Sequence, residues 1–137
     1  MITIIDLNAE LAKLRMLHGR TPETLRAERE GSAARLALYR DAGIFASKSA
    51  GKGSWERHPN GDELVQIVDG EATLHIMTED GPQSFALSAG MLAIVPQGAW
   101  HRFNYPDGVT LITATPGPSE YVRLDIEDPW TVEPQRD

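Results

Sequence analysis

The 137-residue chain contains no cysteine. Disulfides, thiolate metal sites and cysteine nucleophiles are therefore excluded, and any metal site has to be built from histidine and carboxylate side chains. Long hydrophobic runs are also missing. The longest extends only from Ala89 to Val95 with Gly90 inside it, far short of a bilayer span. Basic charge is scarce: thirteen Lys plus Arg stand against twenty Asp plus Glu, a formal net charge of −7. That balance argues against nucleic acid or an anionic membrane as partner, since both need a basic footprint. The opening residues, Met1 to Asp6, lack the basic segment of a secretory signal, so a cytoplasmic location is expected. No repeat or low-complexity stretch interrupts the chain, and its length suits one core.

What is present divides near residue 32. Upstream, Asn8 is placed as an N-cap with Leu7 before it. Leu11, Leu14 and Leu17 follow at near-helical spacing, and Gly19 is a plausible stop. Thr21-Pro22-Glu23 predicts a second helix start, with Gly31 ending the segment and the Arg/Glu mixture of residues 26–30 forming a solvated face. Residues 1–32 thus read as a helical or irregular extension. Downstream, short apolar runs alternate with turn signals such as Asn60-Gly61, Asp69-Gly70, Asp80-Gly81-Pro82 and Gln97-Gly98. That grammar predicts an all-β sandwich or barrel over residues 33–137, with a surface tail after Pro116.

Turns set register, and register decides which side chains share a face. A turn at Asn60-Gly61 places His58 opposite Glu63, with Glu56 on the same face. A hairpin at Asp69-Gly70 sets Glu63 against Ile76, Val65 against Leu74 and Ile67 against Ala72. Apart from Glu63 this face is wholly apolar and is the expected interior; His75 points outwards and is rejected as a ligand. A hairpin at Gln97-Gly98 sets His101 against Ile94 and Phe103 against Leu92. An ionised carboxylate and a histidine on apolar faces need a partner or a metal. The outer side carries Leu64, Val68, Met77 and Trp100 and is expected to be covered, either by the N-terminal extension or by a second subunit in a homodimer.

These residues resemble the cupins, small jelly-roll (double-stranded β-helix) proteins. Glu56 to Gly70 gives E-x-H-x4-E-x6-G against the cupin pattern G-x5-H-x-H-x3,4-E-x6-G, and Gly90 to His101 gives G-x5-P-x-G-x2-H. The resemblance spans about residues 44–115. It implies His58, Glu63 and His101 as metal ligands, with Glu56 standing where the family has its first histidine. Tyr105 stands where the second motif closes on asparagine. Two imidazoles and two carboxylates suit Mn²⁺ or Fe²⁺, with Zn²⁺ and Ni²⁺ also open. Without metal, one of the two neighbouring carboxylates is expected to resist ionisation. Val65, Leu74, Leu92, Phe103 and Tyr105 are the expected pocket wall. The resemblance implies an enzyme acting on a small oxygen-bearing organic compound, as an oxygenase, isomerase or decarboxylase; the alternative is a non-catalytic small-ligand binding or sensing module.

Overall fold

Two sixteen-residue strands organise the molecule, and everything else is laid against them. In the computed structural model, which describes residues 1–136, these are β5 (Glu63–Thr78) and β8 (His101–Pro116), paired antiparallel. On its other side β8 pairs with β3 (Ala42–Lys52), and β3 carries β2 (Ala33–Tyr39) and, in parallel, β1 (Leu17–Arg20). β5 carries β6 (Gly81–Ser88) on its second half and β7 (Leu92–Val95) on its first. β4 (Trp55–Arg57) joins β8 to β9 (Glu120–Val122), which ends the sheet with β10 (Gln135–Arg136). This curled, largely antiparallel sheet is the expected all-β jelly roll. Among the described residues no helix is long and apolar enough to cross a membrane.

Val65, Ile67, Ala72, Leu74, Ile76, Val95, Phe103, Tyr105, Val109 and Leu111 form the core inside the curl. The inward set of β5 is the one expected, but Asp69-Gly70 is not a hairpin. The strand runs through it with a shift of register against β8. A one-residue shift and a two-residue turn both exchange odd for even inward positions, so the apolar pattern is the same for either. Gly70 is required here. Its φ is 84°, and a Cβ would overlap the carbonyl oxygen of Gly108 on β8.

Both ends of the chain cover the outside of the sheet. The first helix, α1 (Leu7–Ala12), is capped by Asp6 rather than Asn8, the Asp6 carboxylate accepting the Ala9 N–H. Leu11 and Leu14 pack on Ala46, Ile112 and Val68. Leu17 and Gly19 lie beyond the helix in β1, and the expected second helix is only a 3-10 turn over Arg26–Arg29. At the other end, Trp55, Trp100 and Val122 are buried together, with Met77, Ile126 and Val132 against them. The Trp55 indole donates to the Ile126 carbonyl at 2.8 Å, as does Arg102 at 3.1 Å. Arg57 lies over the rings of Trp100 and Trp130. The segment after Pro116 is therefore more than a surface tail: it is the cover of the tryptophan face. Val68, Met77 and Trp100, expected to need a partner subunit or the N-terminal extension, are divided between the two ends of the same chain.

Candidate metal centre

Glu56 sits in the middle of β4, directly across the ladder from His101 at the start of β8. His58 follows β4 immediately, and Glu63 opens β5 after the Pro59–Asp62 turn. That turn is tied to the Gln97-Gly98 turn. The Gln97 N–H donates to Asp62, the Gln97 side chain to the Pro59 carbonyl, and the Gly98 N–H to the His58 carbonyl. The proline–glycine motif before His101 thus works as a clasp on the His58 backbone. Neither turn makes the expected ladder: β4 pairs with β8 and β9, and β7 pairs with β5, not β8. Ile94 consequently does not face His101.

The four side chains nonetheless converge, with one donor atom from each lying within 4.8 Å of all the others. His101 Nε2 is 3.0 Å from Glu63 Oε1 and 3.7 Å from Glu56 Oε1. His58 Nε2 is 3.3 Å from Glu63 Oε2 and 3.7 Å from Glu56 Oε1. Donors around a divalent ion at about 2.1 Å lie about 3–4.2 Å apart, so a slight contraction closes the set. Each inner ligand is held from behind. His101 Nδ1 donates to the Ala99 carbonyl at 3.0 Å, directing Nε2 inwards; His58 Nδ1 meets Ser119 Oγ at 3.0 Å. Thr115 donates to Glu63 Oε2 at 2.6 Å, and Thr113 backs Thr115. Such supports orient ligands and raise their affinity for metal. Burial separates the roles: His58, Glu63 and His101 are enclosed, whereas the Glu56 side chain keeps 39% exposure.

The electrostatics fit a divalent cation. Burial opposes charge on His58 and His101, but hydrogen bonds and attraction from Glu56 and Glu63 overcome it and raise them to about 9 and about 10. Burial likewise opposes ionisation of Glu56 and Glu63, yet hydrogen bonding to the two histidines holds both carboxyls below the usual carboxylate range, Glu56 well below. The expectation of one protonated carboxylate is thereby corrected: two imidazolium rings, not one shared proton, balance the pair. The inner nitrogens of His58 and His101 are both buried and both aimed at the carboxylate pair, a donor set of two imidazoles and two carboxylates that suits a divalent ion. The residues present fit the ion.

A cavity of about 240 Å³ opens over this cluster. Val65, Phe103 and Tyr105 line it as expected. Leu74 does not; it is buried in the core, paired with Phe103 across β5 and β8. Leu92 is 58% exposed, because β7 turns it away from the barrel. His75 stays apart from the cluster, bonded to Ser84. The wall also contains residues that sequence reasoning missed: Arg20, Arg29, Ser54 and Ser119. Arg29 belongs to the Arg/Glu stretch read as a solvated face, and nothing in its spacing marked it.

A family model described as "Cupin domain" matches residues 44–113, just over half of the chain. The protein belongs to the cupin-domain family. Among solved structures, a cupin-2 domain protein from Shewanella frigidimarina is 22% identical with a TM-score of 0.61, covering 83% of this chain and 95% of its own. A Neisseria meningitidis protein is 19% identical with a TM-score of 0.62, covering 84% and 100%. Hydroquinone 1,2-dioxygenase from Sphingomonas sp. TTNP3, with 4-hydroxybenzoate bound, is 17% identical with a TM-score of 0.53, covering 61% and 64%. These likenesses concern the cupin fold. No curated protein matches the sequence.

Proposed function

We propose that this cupin holds one divalent metal ion through Glu56, His58, Glu63 and His101 and acts as an enzyme on a small oxygen-bearing organic compound. The observation that carries the reading is the convergence of four donors, three of them enclosed, at the base of a cavity. The ion belongs to the group Mn²⁺, Fe²⁺, Zn²⁺ or Ni²⁺, with the two carboxylate oxygens favouring Mn²⁺ or Fe²⁺. When bound, it supplies Lewis acidity or one-electron chemistry to an oxygen-bearing substrate, as an oxygenase, isomerase or decarboxylase requires. The chain's own contribution is positional. Ala99 and Ser119 set the two imidazoles, Thr115 sets Glu63, and Val65 and Phe103 give an apolar wall that limits water around the substrate. The dioxygenase neighbour with 4-hydroxybenzoate supports a small oxygen-bearing ligand for this fold.

Metal analysis of protein purified without added metal tests the proposal. The expected result is about one ion per chain, lost on chelation and regained on titration. Protein that stays metal-free under saturating Mn²⁺, Fe²⁺ and Zn²⁺ overturns it and favours the metal-free binding-module alternative. The proposal includes association of two copies, supported by Phe85, Leu92 and Ile94 standing exposed on β6 and β7. Light scattering at micromolar concentration checks this, and a 15.1 kDa particle removes it.

A further inference from the structure

In a chain with a net charge of −7, the space above the metal cluster is basic. Arg20, from the end of β1, and Arg29, from the 3-10 turn, both line the cavity that reaches Glu56, His58 and Glu63. An adjoining depression shares Arg20, Arg29, Glu56 and Ser119 and adds Arg123 to its walls. Arg20 is close enough to disfavour charge on Arg29: burial first, then repulsion from Arg20, lowers Arg29 from its ordinary value, and attraction from Glu56 only partly offsets them. Neither is a loosely solvated side chain. The Nε atoms of both are buried and have no hydrogen-bond partner among the described residues.

Like charges gathered around buried, unsatisfied donors are unfavourable unless an anion completes them. The backbone holds them there. β1 runs parallel to β3, and Gly51, with a φ of 132°, lets the Arg20 backbone approach where a Cβ would overlap the Arg20 carbonyl oxygen. Tyr105 lines the same cavity, and its hydroxyl feels Arg20, Arg29 and Glu56 together.

We infer that Arg20 and Arg29 form an anion subsite, and that the ligand of this cavity is a small carboxylic acid whose carboxylate is gripped by the two guanidinium groups while its remainder faces Glu56, His58 and Glu63. The inference rests on the proposed metal site for the ligand's second anchor, but the arginine subsite itself stands without the ion. The cavity volume of about 240 Å³ limits the ligand to a few carbon atoms or one ring. A planar carboxylate matches the forked donors of arginine.

Calorimetry with acetate, malonate, succinate and benzoate, each compared with its amide, tests the subsite on the full-length protein with and without metal. The expected result is binding of at least one carboxylate and at least tenfold weaker binding of its amide. R20Q and R29Q should each weaken that carboxylate about tenfold or more, while metal content stays that of the wild type. R20K and R29K keep the charge without the fork and should recover part of the affinity, which separates recognition from misfolding. Equal binding of acid and amide, no binding of any of the four acids, or unchanged affinity in the R20Q/R29Q double variant overturns the inference. Tighter binding of inorganic phosphate than of every carboxylate overturns the assignment to carboxylic acids. A wild-type protein that binds carboxylate but never metal defeats the proposed metal site alone, so the two failures are distinguishable.

Discussion

Glu56 and His101 face each other across the β4–β8 ladder, and the Glu56 carboxylate oxygen lies 3.7 Å from the inward imidazole nitrogen. The motif resemblance sets Glu56 at the position of the first cupin histidine, which would present an anionic oxygen in place of an imidazole nitrogen. Glu56→His should retain or tighten binding of Ni²⁺ and Zn²⁺, which favour imidazole. Glu63→Gln should lower affinity for every metal by more than about a hundredfold, exceeding what loss of a supporting residue causes. Titration calorimetry with the three ions checks both, and a Glu63→Gln protein with wild-type affinity removes Glu63 from the ligand set.

Thr115 touches no ion in this scheme yet donates the short bond that fixes Glu63. Thr115→Val keeps the shape and removes the donor. Metal affinity should fall about 10–100-fold. The measurement is the same titration, with thermal stability of the metal-free form recorded to show that the fold survives.

Metal binding should release protons. With His58 and His101 raised to about 9 and about 10, the metal-free cluster carries two imidazolium rings at neutral pH, and both rings must lose a proton to ligate. Release near two protons per ion is expected at pH 7, so affinity climbs steeply as pH rises. Calorimetry in buffers of different ionisation enthalpy measures the number. Zero release near pH 6 shows that these histidines are not the ligands.

The same groups shape the stability of the metal-free protein. Raised histidines contribute stability that is complete below their ordinary value of 6.5 and is lost as pH rises through about 9 and about 10. Lowered carboxyls contribute stability that is complete above their ordinary 4.5 and is lost as pH falls through their folded values. Thermal melts should therefore peak between about pH 4.5 and 6.5 and decline towards pH 10. A flat profile from pH 6.5 to 10 contradicts the imidazolium pairing.

Trp100 is 2% exposed and covered by the segment after Pro116. Trp100→Ala should destabilise the protein by about 3–5 kcal/mol. Removing the residues after 118 should expose the same face and also withdraw Ser119 from His58, weakening metal binding together with stability. Chemical denaturation and metal titration of the two variants separate these effects.

The convergence of Glu56, His58, Glu63 and His101 and the inward face were legible in the sequence because both depend on alternation and residue type. Val65, Ile67, Leu74 and Ile76 alternate correctly on each side of Gly70 whether the chain turns back there or continues with a shifted register. The pairing partners were not legible for the same reason. β7 carries a hairpin-like signal at Gln97-Gly98, yet its ladder is with β5, a choice made by the closed sheet. Leu92 was assigned inwards on that false pairing. Arg20 and Arg29 gave no local sign of their role, because their position depends on the parallel β1–β3 contact and the turn that follows. Trp100 is covered, as its place on an apolar outer face predicts, but the identity of the cover lay beyond reach of local patterning.

β8 is bonded to β3, β4 and β5 at once, and it carries His101, the fourth donor of the candidate centre. During synthesis, Glu56, His58 and Glu63 leave the ribosome well before His101, which lies 38 residues after Glu63. Until β8 inserts between its neighbours, the nascent chain offers three mobile donors without the geometry to discriminate among ions. On the proposed metal site, the complete donor set exists only once the strand that also completes the barrel is in place, and an ion met earlier by the chain would have to rearrange when that strand arrives.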